Sequence, residues 1–158
     1  MQQTNELELK LISDKGMEGF YTFHLPKDQE MYTSLPENYK EVKDGQYRIG
    51  IYYKGEPVGF FLLHSTDRVK EYSSNPLSML LTAFLITENQ QGKGYAKQAM
   101  LLLKNFINEE FPHYNEVVLA VNHKNYAAQN LYKKAGFYDT GSRKIGPLGE
   151  QYILQLKL

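Results

Sequence analysis

A nearly unbroken apolar stretch, Leu77–Thr87, is the feature of this sequence that most restricts its fold. A helix that crosses a membrane needs about twenty apolar residues, roughly twice the length of this stretch. A short run of this kind is typical of a strand that is buried on both faces at the centre of a sheet. A glycine-containing turn and an amphipathic helix follow it directly. The sequence therefore predicts a strand–loop–helix unit inside an α/β protein.

Two helices are predicted in the second half of the chain. In Tyr95–Glu109, apolar side chains recur every three or four positions and form one buried stripe, and Pro112 ends the helix. The second helix follows Asn125, which can cap its N-terminus, and Gly136 fits the left-handed position at its C-terminus. A short predicted strand, Glu116–Val121, separates the two helices.

The other predicted strands fall before and after this central region. Period-two alternation or runs of aromatic and β-branched residues mark Glu6–Leu11, Gln46–Tyr53, Pro57–Leu63, Phe137–Arg143 and Glu150–Leu156. The segment from Asp14 to Tyr39 predicts one or two short helices with Asp14 as a cap, and polar Ser65–Pro76 predicts a loop or lid. The predicted order of elements is βααββ, then βαβα, then ββ.

Length and composition limit the class of protein. A chain of 158 residues is near the commonest domain size, so we expect a single domain over residues 1–158. Lys plus Arg equals Asp plus Glu at 18 each, so no overall charge attracts nucleic acid or an anionic membrane. The chain has no cysteine, and Met1–Lys10 lacks the apolar run of a signal peptide. Both observations favour a cytoplasmic protein.

The turn between the apolar strand and the helix, Thr87–Ala96, is the strongest candidate for a binding site. A loop that enters a helix presents unpaired backbone N–H groups and the positive end of the helix dipole, which together suit a phosphate group. The turn lacks the spacing of the nucleotide P-loop and the three glycines of the dinucleotide fingerprint. Taken alone, it is either a phosphate-binding loop or a tight turn.

Two spaced motifs connect this turn to a known family. Gln91-x-x-Gly94-x-Ala96 resembles the Gln/Arg-x-x-Gly-x-Gly/Ala signature of the GNAT N-acetyltransferase superfamily. A second signature of that family, on the helix after the fifth strand, resembles Asn125-x-x-Ala128-x-x-Leu131-Tyr132-x-Lys134-x-Gly136-Phe137. With the hairpin that ends in Pro57–Phe60, the resemblance covers residues 47–158. It implies an α/β fold whose mixed, mostly antiparallel sheet is splayed between strands 4 and 5 and flanked by helices.

The resemblance also implies a site. Acetyl-CoA would be the acetyl donor, without a metal, and a small amine would be the acceptor. Loop amides would bind the pyrophosphate, backbone groups of Phe84 and Ile86 would pair with the pantetheine arm, and Tyr132 would be the catalytic residue at the sulfur. The cofactor-binding residues implied in this way are Phe84, Ile86, Gln91, Gly92, Lys93, Gly94, Tyr95, Ala96 and Asn125. From spacing alone, Asn125 can be only a helix cap and Gly94 only a turn residue, and an aromatic at helical spacing such as Tyr132 normally belongs to the core.

The sequence does not identify the general base of the reaction. An alkylammonium with a pKa near ~10.4 must lose a proton before it can attack a thioester. Many relatives carry an acidic residue on the central strand for this purpose, whereas Leu80–Ile86 contains no carboxylate. Candidates elsewhere are Glu30, His64, Asp67 and Glu71. All four lie in segments where a charged residue is usually solvated. His113 and His123 lack the spacing of metal ligands and are predicted at the surface.

The sequence therefore predicts an enzyme that transfers acetyl from acetyl-CoA to a primary amine by direct attack. The ending Gly149–Tyr152 resembles small bacterial polyamine acetyltransferases, which makes a polyamine one acceptor class. The alternatives are acetylation of a protein N-terminus or an aminoglycoside, and a catalytically weak acyl-CoA-binding module. The missing strand carboxylate leaves the binding module open, and Tyr132 argues against it. A homodimer is possible, but the sequence does not decide between a monomer and a homodimer.

Overall fold

The computed structural model describes residues 6–158, so the first five positions of the N-terminal stretch lie outside the described residues. Within that range, the strands form one seven-stranded sheet with the order β1-β2-β3-β4-β5-β7-β6. The strands are β1 Leu7–Leu11, β2 Gln46–Tyr53, β3 Glu56–His64, β4 Ser78–Ile86, β5 Glu116–Asn122, β6 Tyr138–Gly146 and β7 Gly149–Lys157. All neighbours are antiparallel except β4 and β5, which are parallel. The predicted mixed, mostly antiparallel sheet is confirmed.

Helices cover both faces of this sheet. The α-helices are α1 Lys27–Glu30, α2 Tyr95–Glu110 and α3 Tyr126–Lys134. Short 3₁₀ helices are formed by Asp14–Phe20, Pro36–Tyr39, Asp67–Glu71 and Glu88–Gln90. None of the helices in the described range combines the length and apolarity needed to cross a membrane.

Strand β3 separates two apolar cores. Phe61 and Leu63 pack on the face that carries α2 and α3, which we call the helix-side core. Phe60 and Leu62 pack on the opposite face with Phe20 and other residues of the first 25 positions, which we call the N-terminal core. Because both faces are covered, the central strands need apolar residues at successive positions rather than in alternation. This is why β3 and β4 have nearly continuous apolar sequences.

The N-terminal segment differs from the prediction. It contains three short helical turns, and the cap of the first is Ser13, whose hydroxyl accepts the N–H of Gly16 at 3.3 Å. The prediction of Asp14 as the cap is wrong, because its carboxylate is the ion-pair partner of the buried Arg48 guanidinium. Arg48 also donates to the carbonyls of Tyr39 and Lys40, at 3.2 and 3.1 Å. This arginine therefore fastens the N-terminal segment to β2.

The polar segment Ser65–Pro76 is also more ordered than predicted. It contains the 3₁₀ helix Asp67–Glu71, whose central residue Val69 is buried against Leu80 of β4 and Val118 of β5. One buried apolar side chain is enough to anchor so short a helix to the sheet. The segment is thus attached to the sheet rather than a free lid.

The parallel pair β4 and β5 holds together at only one end. Its register joins Ser78–Leu80 to Glu116–Val118, and beyond Leu80 the two strands separate. The predicted splay between strands 4 and 5 is therefore present.

A β-bulge in β4 lies at this separation. Phe60 pairs with Leu85 and Leu62 pairs with Thr82, so one residue of β3 lies opposite two residues of β4 between these pairs. Ala83, within the bulge, has a left-handed backbone with φ of 56°. The extra residue shifts the alternation, so that Ala83 packs against the N-terminal core and Phe84 against the helix-side core.

Candidate active site

A cavity of about 900 Å³ lies where β4 and β5 separate. Its walls are β4, β5, the N-terminal ends of α2 and α3, residues 25 and 28–34, and the turn between β6 and β7. A volume of this size is at the upper end of small-molecule sites. Of the predicted site residues, it is lined by Phe84, Ile86, Gln91, Gly92, Gly94, Tyr95, Ala96, Asn125 and Tyr132. Lys93 is outside the wall, where its ammonium donates to Gln90 Oε1 at 2.9 Å.

The N-terminus of α2 opens into this cavity. Gly92 and Gly94 have φ values of 78° and 83°, a left-handed backbone that glycine adopts without strain. The first intrahelical bond runs from the N–H of Gln98 to the carbonyl of Gly94, at 3.1 Å, and no side chain caps this end. The amides of Tyr95 and Ala96 therefore have no partner within the helix. The geometry supplies bare donors and a positive dipole end at the cavity wall.

The Gln91 side chain holds this loop in place. Its Nε2 donates to the carbonyl of Ile86 at 2.8 Å and to Gln29 Oε1 at 2.9 Å, while Gln29 Nε2 donates back to Gln91 Oε1 at 3.1 Å. These bonds tie the loop to the end of β4 and to α1. The N–H of Thr87 donates to Val58 on β3, and neighbouring amides on a strand point to opposite edges. The N–H of Ile86 is thus directed to the gap beside β5.

Tyr132 lies on the inner face of α3 and is 7% exposed. Its ring stands edge-on to Phe84 and Phe137, with centroid distances of 6.2 and 5.5 Å. Tyr132 is thus both a core aromatic and a cavity residue. Its hydroxyl has no hydrogen-bond partner within residues 6–158. Burial raises the pKa of this phenol, so it keeps its proton and can donate a hydrogen bond.

Asn125 is the N-cap of α3, because its Oδ1 accepts the N–H of Ala128 at 3.3 Å. The interpretation of Asn125 as a helix cap is therefore correct. The residue also lines the cavity, and its Nδ2 donates to no other described residue. A cap and a ligand contact use different atoms of one amide side chain, so the two roles are compatible.

Among the four base candidates, His64 differs most from the expectation of a solvated residue. It is 1% exposed, because β3 extends to His64 and the side chain packs beside the neighbouring strand β4. Its Nε2 lies 2.6 Å from the hydroxyl oxygen of Thr82, a cavity residue on β4. Burial, together with the Arg68 guanidinium, lowers the pKa of His64 to about 4. The imidazole is therefore neutral near pH 7.

The three carboxylate candidates separate into two groups. Glu30 lines the cavity, as does Asp28, which the sequence analysis missed. Asp67 and Glu71 lie outside the wall and form ion pairs with Lys70 and Lys144, at 3.2 and 3.0 Å. The acidic part of the cavity is therefore built from α1 rather than from the polar segment before β4.

The two histidines that were predicted at the surface, His113 and His123, do not line the cavity. His113 is exposed as predicted, whereas His123 is half-buried, and its backbone N–H donates to the carbonyl of Glu150 on β7 at 3.0 Å. In the part of the chain that the structure describes, no group of His, Asp and Glu side chains could hold a metal ion.

The model of the Acetyltransferase (GNAT) family matches residues 15–137, which include both motifs and most of the cavity wall. The chain belongs to this family. The prediction of an acetyl-CoA-dependent N-acetyltransferase is confirmed at the level of the family.

Relatives and solved structures agree with this assignment. The chain is 43% identical over 155 residues to the uncharacterized N-acetyltransferase YbbJ of Bacillus subtilis (strain 168), covering 96% of this chain and 97% of that protein. It is 26% identical over 138 residues to the spermine/spermidine N(1)-acetyltransferase of the same organism, covering 85% and 90% of the two chains. The structure of the aminoglycoside acetyltransferase AAC(6')-Ib in complex with coenzyme A superposes with a TM-score of 0.78 at 16% identity, over 96% and 94% of the two chains. At that identity, the last comparison shows the fold alone.

Proposed function

We propose that this chain, as one domain over residues 1–158, transfers acetyl from acetyl-CoA to the primary amine of a small molecule. One observation carries the proposal. A single cavity runs through the split between β4 and β5 and joins the open N-terminus of α2 to the Tyr132 hydroxyl. An anionic cofactor held at the helix end would therefore reach the centre of the sheet beside a hydrogen-bond donor.

The residues at the helix end fit a pyrophosphate. The amides of Gly94, Tyr95 and Ala96 are the donors that we assign to its oxygens, and Gly92 and Lys93 supply the preceding amides of the loop. A Cβ at Gly92 would meet nothing within 4 Å, so the space beside this backbone is open. A phosphate can approach amides closely only where no side chain intervenes.

The chemistry at the sheet centre follows from the same geometry. Bound acetyl-CoA would supply a thioester, whose carbonyl carbon gains a bond to the amine nitrogen and loses its bond to sulfur. The nitrogen gives up one proton to solvent and the released thiolate takes one up, so the products are an amide and a free thiol. The N–H of Ile86 faces the gap and can donate to the carbonyl oxygen as its negative charge develops. The Tyr132 hydroxyl can donate to the departing sulfur. Because burial raises its pKa, a strengthening hydrogen bond is favoured over complete proton transfer.

A polyamine is the acceptor class to test first. Asp28 and Glu30 put two carboxylates on the wall of the cavity, and exposed carboxylates attract a polycation at a distance. The relative named spermine/spermidine N(1)-acetyltransferase supports this choice. Arg68 lies on the same wall and works against a large polycation, so a short polyamine or a monoamine is favoured.

A panel of acceptors tests the proposal. Purified protein is mixed with acetyl-CoA and either a polyamine, a monoamine, an aminoglycoside or a peptide with a free N-terminus, and free thiol is measured over time. Turnover with a small amine supports the proposal. Turnover only with peptides or only with aminoglycosides would contradict a small amine as the acceptor. Tight acetyl-CoA binding without thiol release with any acceptor would favour a binding module.

A further inference from the structure

Thr82 is the one polar side chain between Leu80 and Ile86, and Ser78, the other hydroxyl of β4, lies outside the cavity wall. It lines the cavity and lies beside Leu62 in the register of β3 and β4, which places it on the face of the N-terminal core. Phe84, beyond the bulge, faces the helix side with Tyr132. Thr82 is therefore on the side of the sheet opposite Tyr132, the side of α1 and its two carboxylates.

His64 stands behind Thr82 and fixes its hydroxyl. The two residues are diagonal neighbours on β3 and β4, and the distance from His64 Nε2 to Thr82 Oγ1 is 2.6 Å. His64 Nδ1 is buried and has no partner within residues 6–158, so Thr82 is the polar contact that holds this ring. A buried imidazole with one nitrogen unpaired destabilises the fold, so its presence beside the cavity calls for an explanation.

The hydroxyl retains a free acceptor position in either tautomer of the neutral ring. If Nε2 accepts from the hydroxyl, both lone pairs of Thr82 Oγ1 remain free. If Nε2–H donates to it, one lone pair remains. In each case Oγ1 can accept one N–H from a molecule in the cavity.

The charge of His64 is also suited to an amine neighbour. Burial and Arg68 keep its pKa at about 4, so the ring carries no charge that would repel an amine or its ammonium form. The same value excludes His64 as the final proton acceptor, since an alkylammonium has a pKa near ~10.4. Its role is to orient the hydroxyl rather than to take the proton.

We propose that Thr82 Oγ1 accepts an N–H of the acceptor amine and so turns the nitrogen lone pair toward the thioester, with His64 as the positioning residue that fixes this hydroxyl. This inference rests on the proposed function. It supplies the contact to the amine that a strand without a carboxylate otherwise lacks. It also explains why a hydroxyl stands among the apolar residues between Leu80 and Ile86.

Four variants and their combination test this pair. Thr82→Val keeps the shape and removes the hydroxyl, and we expect kcat/KM for the amine to fall on the order of 10-fold to 10²-fold with acetyl-CoA affinity unchanged. Thr82→Ser should restore activity to within about threefold. His64→Leu should cause a similar loss, and His64→Gln, which can still bond Thr82, a smaller one. Because His64 acts through Thr82, the double variant Thr82→Val/His64→Leu should be no slower than Thr82→Val alone.

Thr140→Val is the matched control. Thr140 also uses its hydroxyl within the sheet, donating to the carbonyl of Ile153 at 2.8 Å, but it is outside the cavity wall. Unchanged kcat/KM in Thr82→Val, equal losses in Thr140→Val, or additive losses in the double variant would each overturn the inference.

A binding measurement separates this inference from the proposed function. Protein saturated with coenzyme A, which has no acetyl group to transfer, is titrated with the best amine of the panel, or with spermidine if none turns over. Weaker amine binding in Thr82→Val than in the parent supports the contact even if acetyl transfer is absent. Equal binding in the two proteins refutes the contact whatever the panel shows.

Discussion

Gly94 offers a sharp test of the proposed phosphate site because a second glycine of the chain has nearly the same backbone conformation. Gly94, before α2, and Gly55, in the turn between β2 and β3, have φ values of 83° and 82°. A Cβ at Gly55 would meet nothing within 4 Å, and one at Gly94 would meet only Gln98 Nε2 at an ordinary 3.6 Å. Only Gly94 lines the cavity. The variants Gly94→Glu and Gly55→Glu therefore share one backbone strain and differ in location.

The expected magnitudes follow from these values. A side chain at a left-handed position costs about 1–2 kcal/mol, so both variants should melt roughly 2–8 °C below the parent. A carboxylate about 4 Å from a phosphate charge is repelled by about 4 kcal/mol near a protein surface and by about 1 kcal/mol in water. An intermediate value of about 2–3 kcal/mol predicts that Gly94→Glu weakens acetyl-CoA binding on the order of 10²-fold. Gly55→Glu should leave the affinity unchanged.

Isothermal titration of acetyl-CoA into the three proteins measures this difference, and thermal melting measures the shared strain. Gly94→Ala and Gly55→Ala, compared in the same way, separate bulk from charge. The reasoning is refuted if Gly94→Glu binds acetyl-CoA as tightly as Gly55→Glu. An equal loss of affinity in both would show that strain, not position, weakens binding.

Three further predictions concern the cavity. Tyr132→Phe keeps the ring packed against Phe84, so acetyl-CoA affinity and melting temperature should be nearly unchanged while kcat falls on the order of 10²-fold; normal turnover would leave Tyr132 as a core residue only. If Asp28 and Glu30 attract the acceptor, KM for spermidine should rise with ionic strength while KM for an uncharged-tail amine stays constant, and equal responses would contradict the polyamine assignment. In the folded protein the pKa of His64 is about 4, below its unfolded value of ~6.5. As the pH falls, the unfolded chain therefore takes up the imidazole proton at a higher pH than the folded protein does. Stability should then fall by about 2–3 kcal/mol as the pH drops from about 6.5 to about 4, and urea unfolding of His64→Gln should lack this component.

The parts of the fold that could be predicted from the sequence are those with a local signal. The apolar run of β4, the loop with Gly94 and the stripe of α2 are contiguous, so periodicity and turn chemistry identify them. The bulge at Ala83 and the short pairing of β4 with β5 have no such signal, because both depend on the register of strands far apart in the chain. The resemblance to the family predicted the splay, and periodicity alone did not.

In the candidate site, too, residues with a local sequence signal could be predicted, whereas contacts between distant positions could not. The loop residues and Tyr132 were found because each belongs to a spaced motif. His64 was predicted to be solvated, because its burial depends on the packing of β3 beside β4, whose Thr82 is 18 positions away in the chain. The pairing of Gln91 with Gln29 joins positions 62 apart and gives Gln91 a structural role that the motif does not reveal. Thr82 did leave a signal, because it is the one hydroxyl between Leu80 and Ile86, and a hydroxyl among buried apolar residues needs a partner.

In the proposed reaction, the bulge would let one strand contact both substrates. In a regular strand, Thr82 and Phe84 would lie on the same face, since side chains alternate with a period of two. The extra residue, with Ala83 at a φ of 56°, instead puts Thr82 on the side of α1 and Phe84 on the side of Tyr132. A non-glycine residue in this conformation costs on the order of 1–2 kcal/mol, and the fully buried neighbours Phe60 and Leu62 hold it in place. The structure thus accepts local strain where the acceptor and the donor would meet from opposite faces of the sheet.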